Sequence, residues 1–230
     1  MSSDDDALVL AIRGGQVEEL ARLLARDPKL ATARVVAADG SERSLLHIAT
    51  DWPGHFPRVA ETIATLVRAG ANVDAPFIGP HAETPLHWAA SSNDIEALDA
   101  LLAHGATIDR DGAVIGGGTA LDDAVAFGQE KAARRLCGAG ARVSLWNAAA
   151  LGMVERVEHV LATGAPTPAE ITHAFWWACH GGQAATAELL ARHGADVDAL
   201  GHDDLTPLAV AERSGAADLV RWLRARSSRQ

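Results

Sequence analysis

Apolar residues near the middle of the chain follow the three- and four-residue spacing of short helices. The clearest run is Ile95, Leu98, Leu101 and Leu102. Residues at this spacing lie on one face of an α-helix. A shorter apolar edge precedes them at 86–90, and Gly105 follows where a left-handed residue fits the end of a helix. The pattern predicts two helices joined by a turn, each with a face that needs a neighbour for burial.

A helix-start signal opens this helix pair, and the length of the pair recurs along the chain. Thr84 offers an oxygen to the first free amides, and Pro85 lacks the amide that would be left unpaired. Gly105 follows Thr84 by 21 residues. The same spacing joins Asp6 to Asp27, Thr119 to Gly140, Val143 to Gly164 and His173 to Gly194. The stretch from Ser44 to Gly70 is a longer variant, and Thr206 opens a last copy, which makes seven.

One known repeat family shares these residues. Thr84-Pro85-Leu86-His87, with Ala89-Ala90, Leu101-Leu102 and Gly105-Ala106, resembles the ankyrin repeat. The resemblance implies an all-α solenoid of stacked helix-turn-helix pairs with β-hairpin fingers, here irregular at repeats 4–6. We expect one domain over 1–230, with terminal caps at the first and last repeats. The repeats are expected at about 5–38, 39–80, 81–115, 116–141, 142–165, 166–201 and 202–227.

The second copy contains an insertion between its two helices. Asp51 to Pro57 replaces a tight turn, and two prolines with a glycine predict an ordered loop. The loop carries Trp52, His55 and Phe56. Two interpretations remain open at this stage: the loop contributes to a binding surface, or it folds back and covers its own repeat.

Copies five and six also depart from the pattern. Gly164 follows Gly140 by only 24 positions, so no finger fits between repeats four and five. Thr167, Pro168 and Glu170 then form a capping-box pattern. It predicts that the first helix of repeat six starts early and runs to about His180, carrying Phe175, Trp176 and Trp177.

Composition narrows the class of partner and compartment. The formal net charge of −10 disfavours general attraction to nucleic-acid phosphates. No apolar run approaches the roughly 20 residues of a membrane helix, and the start MSSDDD lacks a basic segment followed by an apolar one. Cys137 and Cys179 are expected to be reduced and buried. We therefore expect a cytoplasmic monomer that binds neither nucleic acid nor membrane.

The histidines and glycines give no strong sign of catalysis or of a cofactor. No histidine pair has metal-binding helical spacing, and Gly116-Gly117-Gly118 lacks the lysine and hydroxyl residue of a phosphate loop. One position in successive repeats forms the column Val9, His47, His87, Asp122, Trp146, Trp176 and Ala209. Stacking places His87 near Asp122, as a base with its carboxylate or as a structural hydrogen bond. We expect a non-enzymatic protein without cofactor or metal.

The resemblance implies a concave groove formed by the residues after the Ala-Ala pairs, with fingers along one side. The predicted floor consists of Asp51, Trp52, Ser92, Phe127, Leu151 and His180. The predicted finger contacts are Phe77, Ile78, His81, Arg110 and Val114. The leading hypothesis is a protein-interaction module that binds a protein segment or peptide in this groove.

The alternative is a small-molecule binding protein or unusual enzyme with an aromatic pocket between repeats 4 and 6. Its residues would be His87, Asp122, Trp146 and Trp176, with His180 beside them. The sequence leaves open whether Trp146 and Trp176 belong to the core or line a binding surface, and it does not name a partner.

Overall fold

The structure, a computed structural model, describes residues 3–227. Over this range there are fourteen α-helices, and consecutive helices pack as seven pairs. They are α1 (Ser3–Arg13), α2 (Val17–Arg26), α3 (Leu45–Thr50), α4 (Val59–Arg68), α5 (Pro85–Ser91), α6 (Ile95–Ala103), α7 (Ala120–Ala126), α8 (Glu130–Gly138), α9 (Leu145–Ala150), α10 (Val154–Thr163), α11 (Pro168–His180), α12 (Ala184–Arg192), α13 (Pro207–Arg213) and α14 (Ala217–Ser227). Short 3-10 turns lie at Pro28–Thr32 and His202–Asp204. The all-α solenoid architecture expected from the repeats is confirmed.

The chain divides into two compact units, one ending at Ala141 and the other beginning at Arg142. In the first unit, the leading helices of successive pairs contact each other in the row α1, α3, α5, α7. The second helices form a parallel row, α2, α4, α6, α8. In the second unit the leading row is α9, α11, α13, and α10 contacts α12. Burial of apolar faces between neighbouring repeats supplies the core of each unit. The single-domain expectation stays a prediction.

Capping boxes begin five of the leading helices. An N-cap hydroxyl accepts from the third residue of the helix, whose side chain returns a bond to the N-cap amide. The pairs are Ser44 with His47, Thr84 with His87, Thr119 with Asp122, Ser144 with Asn147, and Thr167 with Glu170. In the fifth repeat the predicted position was one residue off. Ser144 is the N-cap because it has the hydroxyl group that Val143 lacks. The third helical residue, which completes the capping box, is therefore Asn147 and not Trp146.

Two histidines join successive repeats. The Nδ1 of His87 accepts from the Thr84 amide at 3.1 Å, so Nε2 carries the proton and donates to the Gly118 carbonyl at 3.3 Å. His47 bonds the carbonyl of Glu83 in the same way at 3.1 Å. Burial lowers the pKa of His47 to about 4 and also lowers that of His87. Both imidazoles are therefore neutral structural links near pH 7.

A tryptophan takes over this link in the sixth repeat. Trp176 Nε1 donates to the Leu205 carbonyl at 2.7 Å. Leu205 directly precedes the N-cap Thr206, as Glu83 precedes Thr84. Helix α11 begins at Pro168 and ends at His180, which confirms the early start and the predicted end. The helix carries Phe175, the largest fully buried side chain among the described residues.

The fingers are only partly built from paired strands. Within residues 3–227 the one hairpin joins β1 (Arg34–Val36) to β2 (Glu42–Ser44), antiparallel, with Ile78 bridging Glu42 from the finger that follows α4. That finger and the next, over 71–83 and 106–118, are otherwise turns, tied by the Asp74 carboxylate and the Thr107 amide at 2.9 Å. Only six residues separate α8 from α9, as the spacing predicted.

Three observations limit the chemistry of the described residues. No helix among them is long and apolar enough to cross a membrane. No three His, Cys, Asp or Glu side chains among them are grouped as metal ligands. Cys179 is fully buried, which raises the pKa of its thiol to about 12, whereas Cys137 is half-buried rather than buried as expected.

Candidate functional site

A groove of about 200 Å³ lies in the first unit and is called the aromatic groove below. It is lined by Asp51, Trp52, Glu83, Trp88, Ser91, Ser92, Val114 and Phe127. The structure therefore brings together five residues predicted from the sequence as partner contacts, four from the floor and Val114 from a finger. Glu83 and Trp88 were not predicted to line it.

The walls of the groove are exposed and apolar. The exposed fraction is 80% for Trp52, 48% for Phe127 and 49% for Val114. These residues come from three places, the inserted loop, the end of α7 and the finger before α7. Large exposed apolar side chains that gather at one place mark interaction surfaces, whereas scattered ones need no explanation.

The inserted loop that carries Trp52 is fixed at its start. Asp51 Oδ2 binds Arg13 at 2.7 Å and Arg43 at 3.0 Å. One arginine comes from α1, and the other comes from β2. The first residue of the loop is therefore tied both to the preceding repeat and to its own hairpin.

The far part of the loop is fixed to the neighbouring repeats. The buried Asp94 caps α6 at the Ala97 amide, 3.0 Å away, and its other oxygen accepts from the His55 amide at 2.6 Å. Arg58, which follows the loop, pairs with Glu18 and Glu61 at 2.8 Å each. These exposed bonds to Arg58 lower the pKa of Glu18 to about 2 and lower that of Glu61. The loop is anchored on both sides of Trp52.

An aromatic cluster supports the floor from behind. Trp88 Nε1 donates to Glu83 Oε2 at 2.9 Å, and His81 Nδ1 lies 2.8 Å from the same oxygen. The Phe77 ring stacks on His81 with centroids 4.6 Å apart and lies 5.6 Å from the Trp88 ring. His47 meets Trp88 edge-on at 4.8 Å. These contacts hold Trp88 in one orientation at the groove.

A second carboxyl group lies behind Glu83. Asp123 is fully buried in α7, and no N–H group of the described residues reaches either of its oxygens. Burial raises its pKa to about 9, with further contributions from a hydrogen bond to Glu83 and from the charges of Glu83 and Asp122. Because this pKa lies above 7, the Asp123 carboxyl group is protonated near pH 7.

Comparisons with known proteins agree with this architecture. A family model described as ankyrin repeats (3 copies) matches residues 59–147. The crystal structure of the human ASB11 ankyrin repeat domain is similar with a TM-score of 0.55, and the match covers 94% of this chain and 96% of that one. The protein is an ankyrin repeat protein. The two chains are 19% identical, so the likeness to ASB11 shows the fold alone. No curated protein matched the sequence.

The remaining predicted finger residues of this ankyrin repeat protein take different positions. Phe77 is only 8% exposed, and with His81 it supports Trp88 instead of presenting a surface. Ile78 is 45% exposed but exchanges backbone hydrogen bonds with Glu42. Arg110 is exposed and lies outside the lining of the aromatic groove.

The two predicted floor residues of the second unit are largely covered. Leu151 is 6% exposed. His180 is half-buried and stacks on Trp176 with centroids 5.7 Å apart. Burial lowers the pKa of His180, with a smaller effect from the charge of His202. Neither residue offers the open apolar surface that Trp52 and Phe127 offer in the first unit.

The residues of the alternative pocket are mostly engaged in ankyrin-type hydrogen bonds. Both ring nitrogens of His87 are occupied, and Asp122 accepts from the Thr119 amide at 2.6 Å. His87 and Asp122 therefore both make other hydrogen bonds, which compete with the predicted pairing of a base and its carboxylate. Trp176 is 4% exposed and donates to Leu205.

Trp146 of that set lines a cavity. The cavity has about 280 Å³ and lies within the second unit. Its lining consists of Ser144, Leu145, Trp146, Val160, Gly164, Pro166, Glu170 and His173. Behind it, Trp146 packs on Trp177 at 4.7 Å, and Trp177 Nε1 donates to His173 Nε2 at 2.9 Å. Burial lowers the pKa of His173.

Sequence reasoning missed Glu83, Trp88 and Asp123 at the aromatic groove. The available signal for Trp88 was its position, because this aromatic residue directly follows the inward-facing His87 on a short helix. Asp123 is a carboxylate next to Leu121 and Ala124 in the apolar part of α7. Its closeness to Glu83 had no local signal, because the pair forms only when α7 packs on α5.

Proposed function

We propose that this ankyrin repeat protein binds a segment of a partner protein in the aromatic groove. Ankyrin repeats are generally protein–protein interaction modules, and they are typically non-enzymatic. The observation that carries the proposal is Trp52, which is 80% exposed on a loop anchored at Asp51 and His55. Folding alone gives no reason to leave so large an indole in water.

The anchored loop favours binding for an energetic reason. A partner that meets a fixed side chain loses less conformational freedom than one that must order it, and each immobilised side chain otherwise costs about 0.5–1.5 kcal/mol. Tryptophans are enriched among the residues whose truncation costs about 2 kcal/mol or more at interfaces. Trp52 and Phe127 are accordingly proposed as the main contacts, with Val114 and Ser92 between them.

The proposed function has further parts. Ile78 and Arg110 would extend the contact along the fingers, and Leu151 and His180 stay predictions for the second unit. We propose that the protein works in the cytoplasm, where thiols such as Cys137 and Cys179 stay reduced, and that it works as a monomer. A net charge of −10 favours a protein partner over nucleic acid.

Selection from a displayed library of random 12-residue peptides tests the proposal. Peptides selected on the wild-type protein are expected to lose at least about tenfold in affinity on the double variant Trp52→Ala with Phe127→Ser. The matched control is Leu200→Ser, which removes a side chain 63% exposed in the second unit and should leave affinity unchanged. Peptides that bind both variants equally, or no binders at all, would contradict the proposal.

The cavity beside Trp146 favours a second candidate function, binding of a small molecule. Its volume of about 280 Å³ lies just below the roughly 300–1,000 Å³ of ordinary ligand pockets. Thermal melting with a metabolite panel tests it, because a ligand of the folded state raises the melting temperature. The shift should vanish in Trp146→Ala. A flat response across the panel counts against this candidate.

A further inference from the structure

We propose that the aromatic groove selects a basic side chain, lysine or arginine, from the partner segment. This inference rests on the proposed binding function and adds the chemistry of the anchor residue.

The charged residues of the lining are all acidic. Asp51 and Glu83 belong to the lining, and the remaining six lining residues are aromatic, hydroxyl-bearing or aliphatic. Electrostatic complementarity at interfaces excludes partners that bring like charge together. An acidic anchor would meet two carboxylates. A basic anchor would meet two groups of opposite charge.

Asp51 retains capacity for a ligand although two arginines bind it. Arg13 and Arg43 both approach Oδ2, and no donor among the described residues reaches Oδ1. Neither arginine lines the groove. A carboxylate can accept several hydrogen bonds, so the second oxygen is available to an ammonium or guanidinium group.

The aromatic residues suit the rest of a basic side chain. Lysine and arginine pack their methylene stems on apolar surface while the charge stays at a polar end, and Trp52 and Phe127 provide that surface. The face of tryptophan attracts cations. Arg43 lies 6.0 Å from the centroid of the Trp88 ring, at the outer limit of a cation–π interaction.

The carboxyl pair behind the groove, Glu83 and Asp123, also favours a basic anchor. Glu83 and Asp123 are both buried, and the pKa of Asp123 is raised by burial and by the neighbouring charges of Glu83 and Asp122. His81 lies on the other side of Glu83, and Asp122 lies beside Asp123. A cation in the groove adds the positive charge that the pair lacks.

An apolar anchor is the main competing occupant. Leucine or methionine would also contact Trp52 and Phe127, but it would bring no hydrogen-bond donor to Asp51 Oδ1. Covering a carboxylate oxygen that water would otherwise hydrogen-bond costs free energy. The lining therefore favours the basic anchor over the apolar one.

The test uses a peptide from the library selection whose binding depends on Trp52 and Phe127. Its basic residue is replaced by norleucine, which keeps the stem and removes the charge, so the protein itself is unchanged. We expect affinity to fall by about tenfold or more, and affinity of the parent peptide to fall as salt rises. Asp51→Asn should weaken the parent peptide but not the norleucine peptide. The control Glu96→Gln removes an exposed acid of α6 and should change neither.

The outcomes separate the two proposals. Peptides that depend on the groove but lack a shared basic residue, or that bind as well with norleucine, overturn the inference and leave the proposed function standing. Failure to obtain any peptide that depends on Trp52 and Phe127 overturns both. Retention of the charge requirement in Asp51→Asn, with its loss in Glu83→Gln, would support the inference and place the charge at Glu83.

Discussion

Tryptophans meet opposite environments in the two units of this protein. In the first unit, Trp52 stands 80% exposed on an anchored loop. In the second unit, Trp176 and Trp177 are each 4% exposed and meet edge-on at 5.0 Å. The loop is fixed by ion pairs and backbone bonds that leave its indole outside, whereas α11 packs both indoles between neighbouring helices. The same residue type therefore serves as surface in one unit and as core in the other.

The largest expected difference is in stability. Trp176→Ala should lower the free energy of unfolding by about 3–5 kcal/mol, because it removes a buried indole and leaves the Leu205 carbonyl without its donor. Trp52→Ala should change it by no more than about 0.5 kcal/mol, as surface substitutions usually do. Urea denaturation, with hydrogen exchange of α11 and α13 as the local readout, measures both. A Trp52 variant as unstable as the Trp176 variant would show that the loop indole belongs to the core.

The next prediction concerns the carboxyl pair of the first unit. The pKa of Asp123 is raised from 3.8 to about 9, so folding takes up a proton between those values. Its contribution to stability is largest below pH 3.8 and declines as pH rises to about 9. Asp123→Asn cannot ionise and can still donate to Glu83, so it should raise stability at pH 8 by roughly 1–3 kcal/mol.

Stability curves from pH 5 to 9 would measure this effect. The alkaline decline in the hydrogen-exchange protection of α5 and α7 should flatten in Asp123→Asn. Glu83, Asp122, His81 and His87 surround the site, and all four remain in the variant. The matched control Asp99→Asn changes a half-exposed acid of α6 and should keep the decline. An unchanged slope in Asp123→Asn would contradict the raised pKa of Asp123.

The smallest expected effect is in the second unit. There the contribution to stability is lost as pH falls, whereas the contribution of Asp123 declines as pH rises. The pKa of His180 is lowered, chiefly by burial, so the neutral form favours folding. This contribution is present above the ordinary pKa of 6.5 and is lost as pH falls through the folded value. His180→Phe keeps the stacking on Trp176 without a charge. It should reduce the acid loss of stability by less than about 1 kcal/mol, because the ring is partly solvated.

Melting curves at pH 7 and 5 compare this variant with the wild type. Part of the acid slope should persist, since the pKa of His173 is lowered too, and Trp177 and His202 remain near the ring. A slope identical to that of the wild type would mean that His180 titrates equally in the folded and unfolded chains. Together with Asp123, the result would show whether a raised and a lowered pKa give stability opposite dependences on pH.

The sequence by itself determined the helices and most of their ends. Thr84 with Pro85, and Thr167 with Glu170, carry local signals whose bonds form within one turn, so α5 and α11 begin where the pattern predicts. The recurring spacing also predicted the missing finger between α8 and α9. Five residues of the aromatic groove followed from their place in the repeat.

Only the tertiary structure decided which side chains face water and which charges meet. Trp52 and Trp176 read alike in a sequence, and their burial depends on the neighbours that stacking supplies. The Glu83–Asp123 pair joins residues forty positions apart, brought together when α7 packs on α5. Local propensity sets backbone conformation within a turn or two, whereas burial and pKa depend on atoms from other repeats. For that reason the aromatic groove was foreseen in part, and the Glu83–Asp123 pair beside it was not.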